Sequence, residues 1–417
     1  MKMTLEPLFS QSSRTIRASE IRELLKLLNK PEMISFAGGL PNPEAFPIGP
    51  LKSVVAHVME EHAREALQYG VTEGHNKLRD AIARGMGDVY GAPQDRQNIV
   101  VTTGSQQAMN LLAQVLLDPG DLVLVENPSY LGALQSFSAF RARVESVPLD
   151  EEGLCPDALE QKLKDLRHRG EHPKFLYMVP TFQNPTGVTL SRERRIKLYA
   201  LLQAYDLLLI EDDPYGLLRF EGEPVPLIKS LDHEDRVIYL GSFSKILAPG
   251  FRTGWLAAPE EIVNRVTIAK QAQDLCSNTF AQYCIYEAIH HNILFPHVRN
   301  IVALYRAKRD RMFLALEKNF PASATWTKPA GGMFIWVTLP PALKALDLLA
   351  HAMEHNVAYV TGEPFFANGG GQNHFRLNYS YAADSEIDEG IRRLGEVIKQ
   401  QLQACAGTPG PEGMEIF

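Results

Sequence analysis

The chain has little cysteine, no long apolar run and no excess of positive charge, and each shortage excludes something. Four cysteines occur in 417 residues: Cys155, Cys276, Cys284 and Cys405. None belongs to a CxxC pair and none has zinc-ligand spacing, so neither a disulfide framework nor a cysteine-type zinc module is expected. The thiols read as reduced and mostly structural, which fits a cytoplasmic protein. No apolar stretch approaches the roughly 20 residues that span a bilayer. The opening MKMTLEPLFSQSSRTIRASE lacks the apolar centre of a signal peptide. Arg14, Arg17 and several serines hint at a transit peptide, and Glu6, Glu20 and Glu23 count against one. Lys and Arg total 42 against 49 Asp and Glu, a net charge of −7, which argues against a whole-chain nucleic-acid footprint. Internal repeats and low-complexity tracts are absent.

What remains is ordinary globular sequence. Hydrophobic residues make up 45% and charged residues 22%, which rules out a largely disordered or collagen-like chain. Length divided by roughly 150 predicts two to three domains, or one large α/β domain with a smaller companion.

The pattern along the chain sharpens this. Glu20 to Leu28 has helical periodicity, with Ser19 as N-cap. The Gly/Pro-rich FAGGLPNPEAFP (36–47) breaks any helix and reads as an irregular connection. A second helix follows, then a loop, then a helix from Lys77 to Met86. From about residue 98, short apolar runs alternate with helical stretches. NIVVTT, DLVLVE, KFLYMV, DLLLIED, VIYLGS and TGWLAAP read as strands; SQQAMNLLAQVLL, LGALQSFSAF and SRERRIKLYALLQAY read as helices. That alternation predicts an α/β fold with a mostly parallel sheet between helices. After a long helical stretch, TWTKPAGGMFIWVTLP, NVAYVTG and HFRLNYSY read as strands of a smaller α+β module. The tail AGTPGPEGMEIF has no period and reads as disordered.

The chemistry lies in turns that follow strands, where α/β sheets bind their ligands. In TTGSQQ (102–107) a glycine turns the chain into a helix starting at Ser105, whose free N–H groups and dipole suit an anion. Alone, Gly-Ser is equally an ordinary turn. ENPSYLG puts Tyr130 at a similar turn, where its ring can stack on a planar ligand or simply pack. In FQNPTG, Asn184 offers an amide beside a turn set by Pro185 and Gly187. IEDDPYG ends an apolar strand in three acids; a buried Asp212 needs a cationic partner, whereas a water-facing one needs none. In GSFSKILAPGFRTGW, Lys245 follows a strand between Ser242 and Ser244. A desolvated amine there acts as a nucleophile toward aldehydes. Arg252, seven residues on, suits bidentate phosphate binding. Each feature is weak alone. Together they ask for a ligand with a phosphate, a flat ring, a cationic ring nitrogen and an aldehyde, and pyridoxal 5′-phosphate has all four.

These stretches, with SFAGGLPNPEAFP, PAGGMFIW and GEPFFANGGGQNHFRLNYSYA, carry a resemblance. The chain resembles the fold-type I pyridoxal-phosphate aminotransferases (class I/II) from about Ser12 to Gln403. It is most similar to the lysine/α-aminoadipate and kynurenine/α-aminoadipate subgroup. The resemblance implies Lys245 as Schiff-base lysine and proton shuttle, and Asp212 as partner of the ring nitrogen. It implies Asn184 and Tyr215 at the ring oxygen and Tyr130 stacked on the ring. Ser105, Gln106, Ser242 and Arg252 would hold the phosphate, with Tyr69 reaching it from a second subunit of a homodimer. Arg376 would clamp the substrate carboxylate, Gly39 and Leu40 would line the pocket, and Arg22 would meet a distal carboxylate. YGVTEG departs from relatives that often have Ser-Pro where Gly70 and Val71 stand, which implies a different substrate shape there. No metal is implied.

The implied activity is a ping-pong transfer of an amino group from an L-amino acid (2-aminoadipate, aromatic, branched or similar) to a 2-oxo acid such as 2-oxoglutarate. A β-lyase or decarboxylase on the same scaffold is the first rival. The second is the sensor domain of a transcriptional regulator, against which the negative charge and the early start of the resemblance count. The implied architecture is a seven-stranded large cofactor domain over 49–300. A smaller domain combines residues 1–48 with 301–404, and a disordered tail covers 405–417.

Overall fold

The structure, a computed structural model, describes residues 3–15 and 32–407. Its centre is a sheet of eight strands. From one edge the order is Ile99–Thr102, Gly254–Ala257, Val237–Ser242, Leu208–Asp212, Phe175–Met178, Leu122–Asn127, Arg143–Asp150 and Gly153–Leu154. The five strands from Val237–Ser242 to Arg143–Asp150 run parallel. Gly254–Ala257 is antiparallel to both neighbours. The sheet is thus the expected mostly parallel seven strands with a two-residue eighth at one edge. Apolar runs identify the inner strands because helices cover both faces: every residue of Phe175–Met178, Val237–Ser242 and Gly254–Ala257 is buried. The sequence reading passed over Arg143–Asp150 and the helix Pro156–His168. RVESVPLD is a mostly exposed or half-buried strand near the edge and therefore has no apolar run to betray it.

A second, antiparallel sheet has the order Thr325–Trp326, Phe334–Thr338, His374–Asn378, Val360–Thr361. Ahead of the large sheet, Ile34–Ser35 pairs in parallel with Val357–Ala358, which brings the N-terminal segment onto the C-terminal part of the chain. Helices Leu294–Asn319 and Asp384–Gly407 pack against each other. Residues 300 and 301 both lie inside the first of these. The tail expected to be disordered from residue 405 is helical as far as Gly407; Gln400 to Ala406 are mostly good helix formers and carry the helix on. Residues 408–417 and the helix expected over Glu20 to Leu28 lie outside the described residues. Among the described residues no helix is long and apolar enough to cross a membrane.

Two turns that follow strands meet at Gly254. A Cβ there would lie 2.7 Å from the Ser105 nitrogen, 2.8 Å from the Gly241 oxygen and 2.9 Å from the Gly104 carbon. All three are backbone atoms and none can swing away. Gly254→Ala is expected to destabilise the protein by about 1–3 kcal/mol, read as a lower midpoint in thermal unfolding. An unchanged midpoint would contradict this packing.

Candidate active site

The strand Leu208–Asp212 delivers Asp212 into the interior, 2% exposed. Tyr177 lies one strand over, opposite Ile210 in the register, and its hydroxyl donates to Asp212 Oδ2 at 2.8 Å. Asp212 Oδ1 is buried and has no hydrogen-bond partner. Burial raises the carboxyl to about 7. Such an oxygen is costly to leave bare, and a cationic N–H is what would satisfy it. The carboxyls around it are buried too. Asp213 accepts from the Tyr239 hydroxyl at 3.3 Å, and Glu126 Oε2 accepts from the Val179 amide at 2.9 Å. Burial pushes Glu126 up to about 8 and Asp213 up to about 6.

Lys245 follows the strand Val237–Ser242, and its Nζ donates to the Gly39 carbonyl at 2.7 Å. Burial first, then the positive Arg376 and Arg252, lower its amine to about 8. Its neutral form, the nucleophile toward an aldehyde, is therefore reached closer to neutral pH than for an exposed lysine. Arg376 is 1% exposed. Its Nη1 donates to Asn184 Oδ1 and its Nη2 to the Ala37 carbonyl, each at 2.7 Å. Its Nε is buried without a partner. The guanidinium lies over the Phe334 ring at 4.2 Å, with Phe365 at 5.4 Å. Burial lowers it to about 10, so it stays cationic at neutral pH. Tyr215 is buried, and Asn184 Nδ2 approaches its hydroxyl at 3.5 Å. Lys245, Arg376, Asn184, Tyr215 and the Gly39 carbonyl therefore form one connected group. Leu40 stands at its rim, 44% exposed, with its carbonyl accepting from Ser380 Oγ at 2.8 Å.

The anion-binding turn is also built. Gly104 has φ +75°, and a Cβ there would come 2.7 Å from Arg252 Nη2, so only glycine lets the guanidinium lie across the turn. Ser105 opens the helix Ser105–Leu116, whose third N–H, that of Gln107, already donates to the Gly104 carbonyl at 3.2 Å, so the N–H groups of Ser105 and Gln106 are the ones that suit an anion. Ser242 Oγ accepts from the Ser244 amide at 3.1 Å. Gln106 differs from a simple phosphate ligand: its Nε2 donates to the Gly132 carbonyl at 3.1 Å and Ser136 Oγ at 2.9 Å, which leaves its backbone N–H for an anion. Tyr130 caps the neighbouring helix Leu131–Ala139, and a Cβ on Gly132 would lie 2.6 Å from its ring. Tyr69 is not part of this group: it is 79% exposed, and no hydrogen bond or ring contact joins its side chain to the pocket. Arg22 lies outside the described residues.

The sequence reading did not single out Tyr177, Glu126, Gln183 or the Ala37 carbonyl. Gln183 Nε2 donates to the Pro128 carbonyl at 2.8 Å and approaches Glu126 Oε2 at 3.3 Å, which ties the Asn184 turn to the Tyr130 turn. A tyrosine inside an otherwise apolar strand, as in KFLYMV, was the available signal for Tyr177, since a buried hydroxyl needs a partner.

The family model for aminotransferases of class I and II matches residues 33–394. The chain is 47% identical over 398 residues to aromatic-amino-acid aminotransferase 1 of Thermococcus litoralis, covering 95% of each chain. Its fold superposes with a TM-score of 0.93 on the Pyrococcus horikoshii kynurenine aminotransferase in complex with PMP, KYN and KYA. That match is 47% identical and covers 95% of this chain and 98% of the other. It superposes with a TM-score of 0.89 on the Thermus thermophilus α-aminoadipate aminotransferase complexed with N-(5′-phosphopyridoxyl)-L-leucine. There the identity is 40%, over 96% of this chain and all of the other.

The buried carboxyls have a consequence for stability. Ordinary carboxyls titrate near about 4, and Glu126 near 8 in the folded chain. The native state therefore holds a proton that the unfolded state has lost, and this contribution to stability disappears as pH rises through that window. The denaturant stability of wild type relative to Glu126→Gln is expected to fall between about pH 5 and about pH 8. A difference that stays flat would show that Glu126 is ionised throughout.

Proposed function

The chain belongs to the class I and II aminotransferases, and from that premise we propose which of its residues hold cofactor and substrate. The enzyme depends on pyridoxal 5′-phosphate and moves amino groups between amino acids and 2-oxo acids. The observation that carries the residue assignment is the buried, unpartnered Oδ1 of Asp212. A protonated ring nitrogen supplies the directional cation it lacks. The turn of Gly104 and Ser105 with Arg252 suits the phosphate, and Lys245 suits the aldehyde, so the residues fit the group.

When bound, pyridoxal 5′-phosphate supplies an aldehyde for the amino group and a ring that stores an electron pair. The chain's own residues do the rest. With the cofactor bound, Asp212 would stay ionised against its ring nitrogen, with Tyr177 fixing the other carboxylate oxygen. Asn184 and Tyr215 would offer an amide and a hydroxyl to the ring oxygen, and Tyr130 would lie against the ring. Lys245 Nζ would take the proton from the substrate Cα, pass it to the cofactor's former aldehyde carbon, and carry a proton back to Cα in the reverse half. Arg376 grips the substrate carboxylate bidentately, exchanging its bond to Asn184 for the substrate. Its apolar sandwich between Phe334 and Phe365 strengthens that charge pair by excluding water.

The donor is an aromatic amino acid, 2-aminoadipate or a similar L-amino acid, and the acceptor a 2-oxo acid such as 2-oxoglutarate. The named activities of the relatives and the aromatic wall of the pocket support this. Arg22 is assigned the distal carboxylate of dicarboxylic substrates on its sequence position. The exposed Tyr69 is assigned to a second subunit's phosphate, in a homodimer. A cytoplasmic location agrees with cysteines that form no disulfide.

A half-reaction screen tests the substrate reading. Aromatic amino acids and 2-aminoadipate are expected to convert the bound cofactor to its amine form, followed by absorbance; if neither does, that assignment fails. Lys245→Ala is expected to keep cofactor binding and to lose at least about 10²–10⁴-fold in turnover. Arg376→Ala should raise KM for every amino acid, while its cofactor affinity stays near wild type.

A further inference from the structure

We propose that His57, His62 and Glu287 form a site for a zinc-type divalent transition metal, away from the residues assigned to cofactor and substrate. The site joins two helices. His57 lies in Ile48–Glu61 and His62 directly follows it. Glu287 lies in Thr279–His290, with His291 four residues on and so on the same face.

Glu287 is 3% exposed, yet no hydrogen bond reaches its carboxylate among the described residues. Three imidazole nitrogens face it instead. His57 Nε2 is 3.7 Å from Oε2, His62 Nε2 is 3.6 Å from Oε1, and His291 Nε2 is 3.3 Å from Oε2. Good N–H···O bonds are about 2.7–3.2 Å long, so the His57 and His62 separations are too wide. They lie slightly above the roughly 3.3–3.5 Å between two ligands bound at about 2.0–2.2 Å to one tetrahedral zinc, so small rotations of the two rings would bring both onto one ion.

The donor set is specific. Imidazole nitrogen with one carboxylate suits zinc and its first-row neighbours. Calcium and magnesium take oxygen donors. Among the described residues, the ligand atoms of His57, His62 and Glu287 form the one such group, all within 4.8 Å of one another. The side chains of His57 and His62 are 40% and 28% exposed, so the donors are reached from solvent.

The rings are already oriented by their neighbours. His57 meets His62 and His291 edge-on, at interplanar angles of 90° and 88°. Tyr283 backs His62 at 5.4 Å and stacks on His75 at 4.1 Å. The segment between His62 and His75 carries Tyr69. Within it, a Cβ on Gly70 would lie 2.9 Å from Thr279 Oγ1 on the second helix. An ion at His62 and Glu287 therefore braces the root of that segment against the helix it rests on.

The test uses the cofactor-loaded enzyme, treated with chelator and then titrated calorimetrically with zinc chloride. One zinc per chain is expected, weakened more than about tenfold in His57→Ala and in His62→Ala. Cobalt(II) should give the visible bands of a four-coordinate ion in wild type and lose them in the double variant. Zinc should raise the thermal midpoint of wild type and leave that of the double variant unchanged. Both histidines are partly exposed, so the variants fold. Absence of a stoichiometric site, or zinc affinity equal in wild type and variants, would overturn the proposal.

Discussion

A carboxylate that is buried with one oxygen satisfied and the other bare constrains everything near it. Asp212 occupies that position because its strand is covered on both faces and ends where the sheet opens. Tyr177 reaches it from the adjacent strand and takes Oδ2. The remaining oxygen has no donor among the described residues. In the proposed reading, the cofactor's ring nitrogen completes it, and the other ring contacts follow from where that nitrogen must sit. The next strand in the sheet, Val237–Ser242, then leads into both Lys245 and Arg252. A carboxylate inside the sheet, an amine beside it and a guanidinium beyond it are thus consequences of strand order.

Arg376 applies the same logic with the opposite sign. It belongs to the second sheet, while Asn184 belongs to a turn of the first and Ala37 to the N-terminal segment. Burying a guanidinium this deeply is costly unless most of its donors are used, and both Nη groups are. The arginine therefore holds three distant parts of the chain together before any substrate arrives. In the proposed reading the substrate carboxylate replaces a neutral amide oxygen with a charged one, so binding gains electrostatic energy at a site already desolvated.

The sequence disclosed the parts of the fold that obey a period. Inner strands such as Phe175–Met178 and Val237–Ser242 stood out as apolar runs because both their faces are covered. Arg143–Asp150 did not, since a partly exposed strand alternates with polar residues and looks like loop. At the site, residues at turns after strands were legible: Lys245, Asp212, Asn184 and Arg252 all announce themselves through glycine, proline and charge. Tyr177 and Glu126 were not, because each lies within a strand and their roles depend on register, which short runs do not encode. The side chain of Gln106 was legible in identity and not in direction. Its amide turns to the neighbouring helix, a choice made by packing in three dimensions.

The helix Leu294–Asn319 has 26 residues, a rod of about 39 Å at the usual rise per residue. It has no break at residue 300. Ile301, Tyr305, Met312 and Leu316 are all buried along it. The Tyr305 hydroxyl accepts from the Asn42 amide at 2.9 Å, which secures the rod to the N-terminal segment as well. A boundary at residue 300 falls inside this helix, so a cut there would divide it and bare the apolar face that Ile301, Tyr305, Met312 and Leu316 bury.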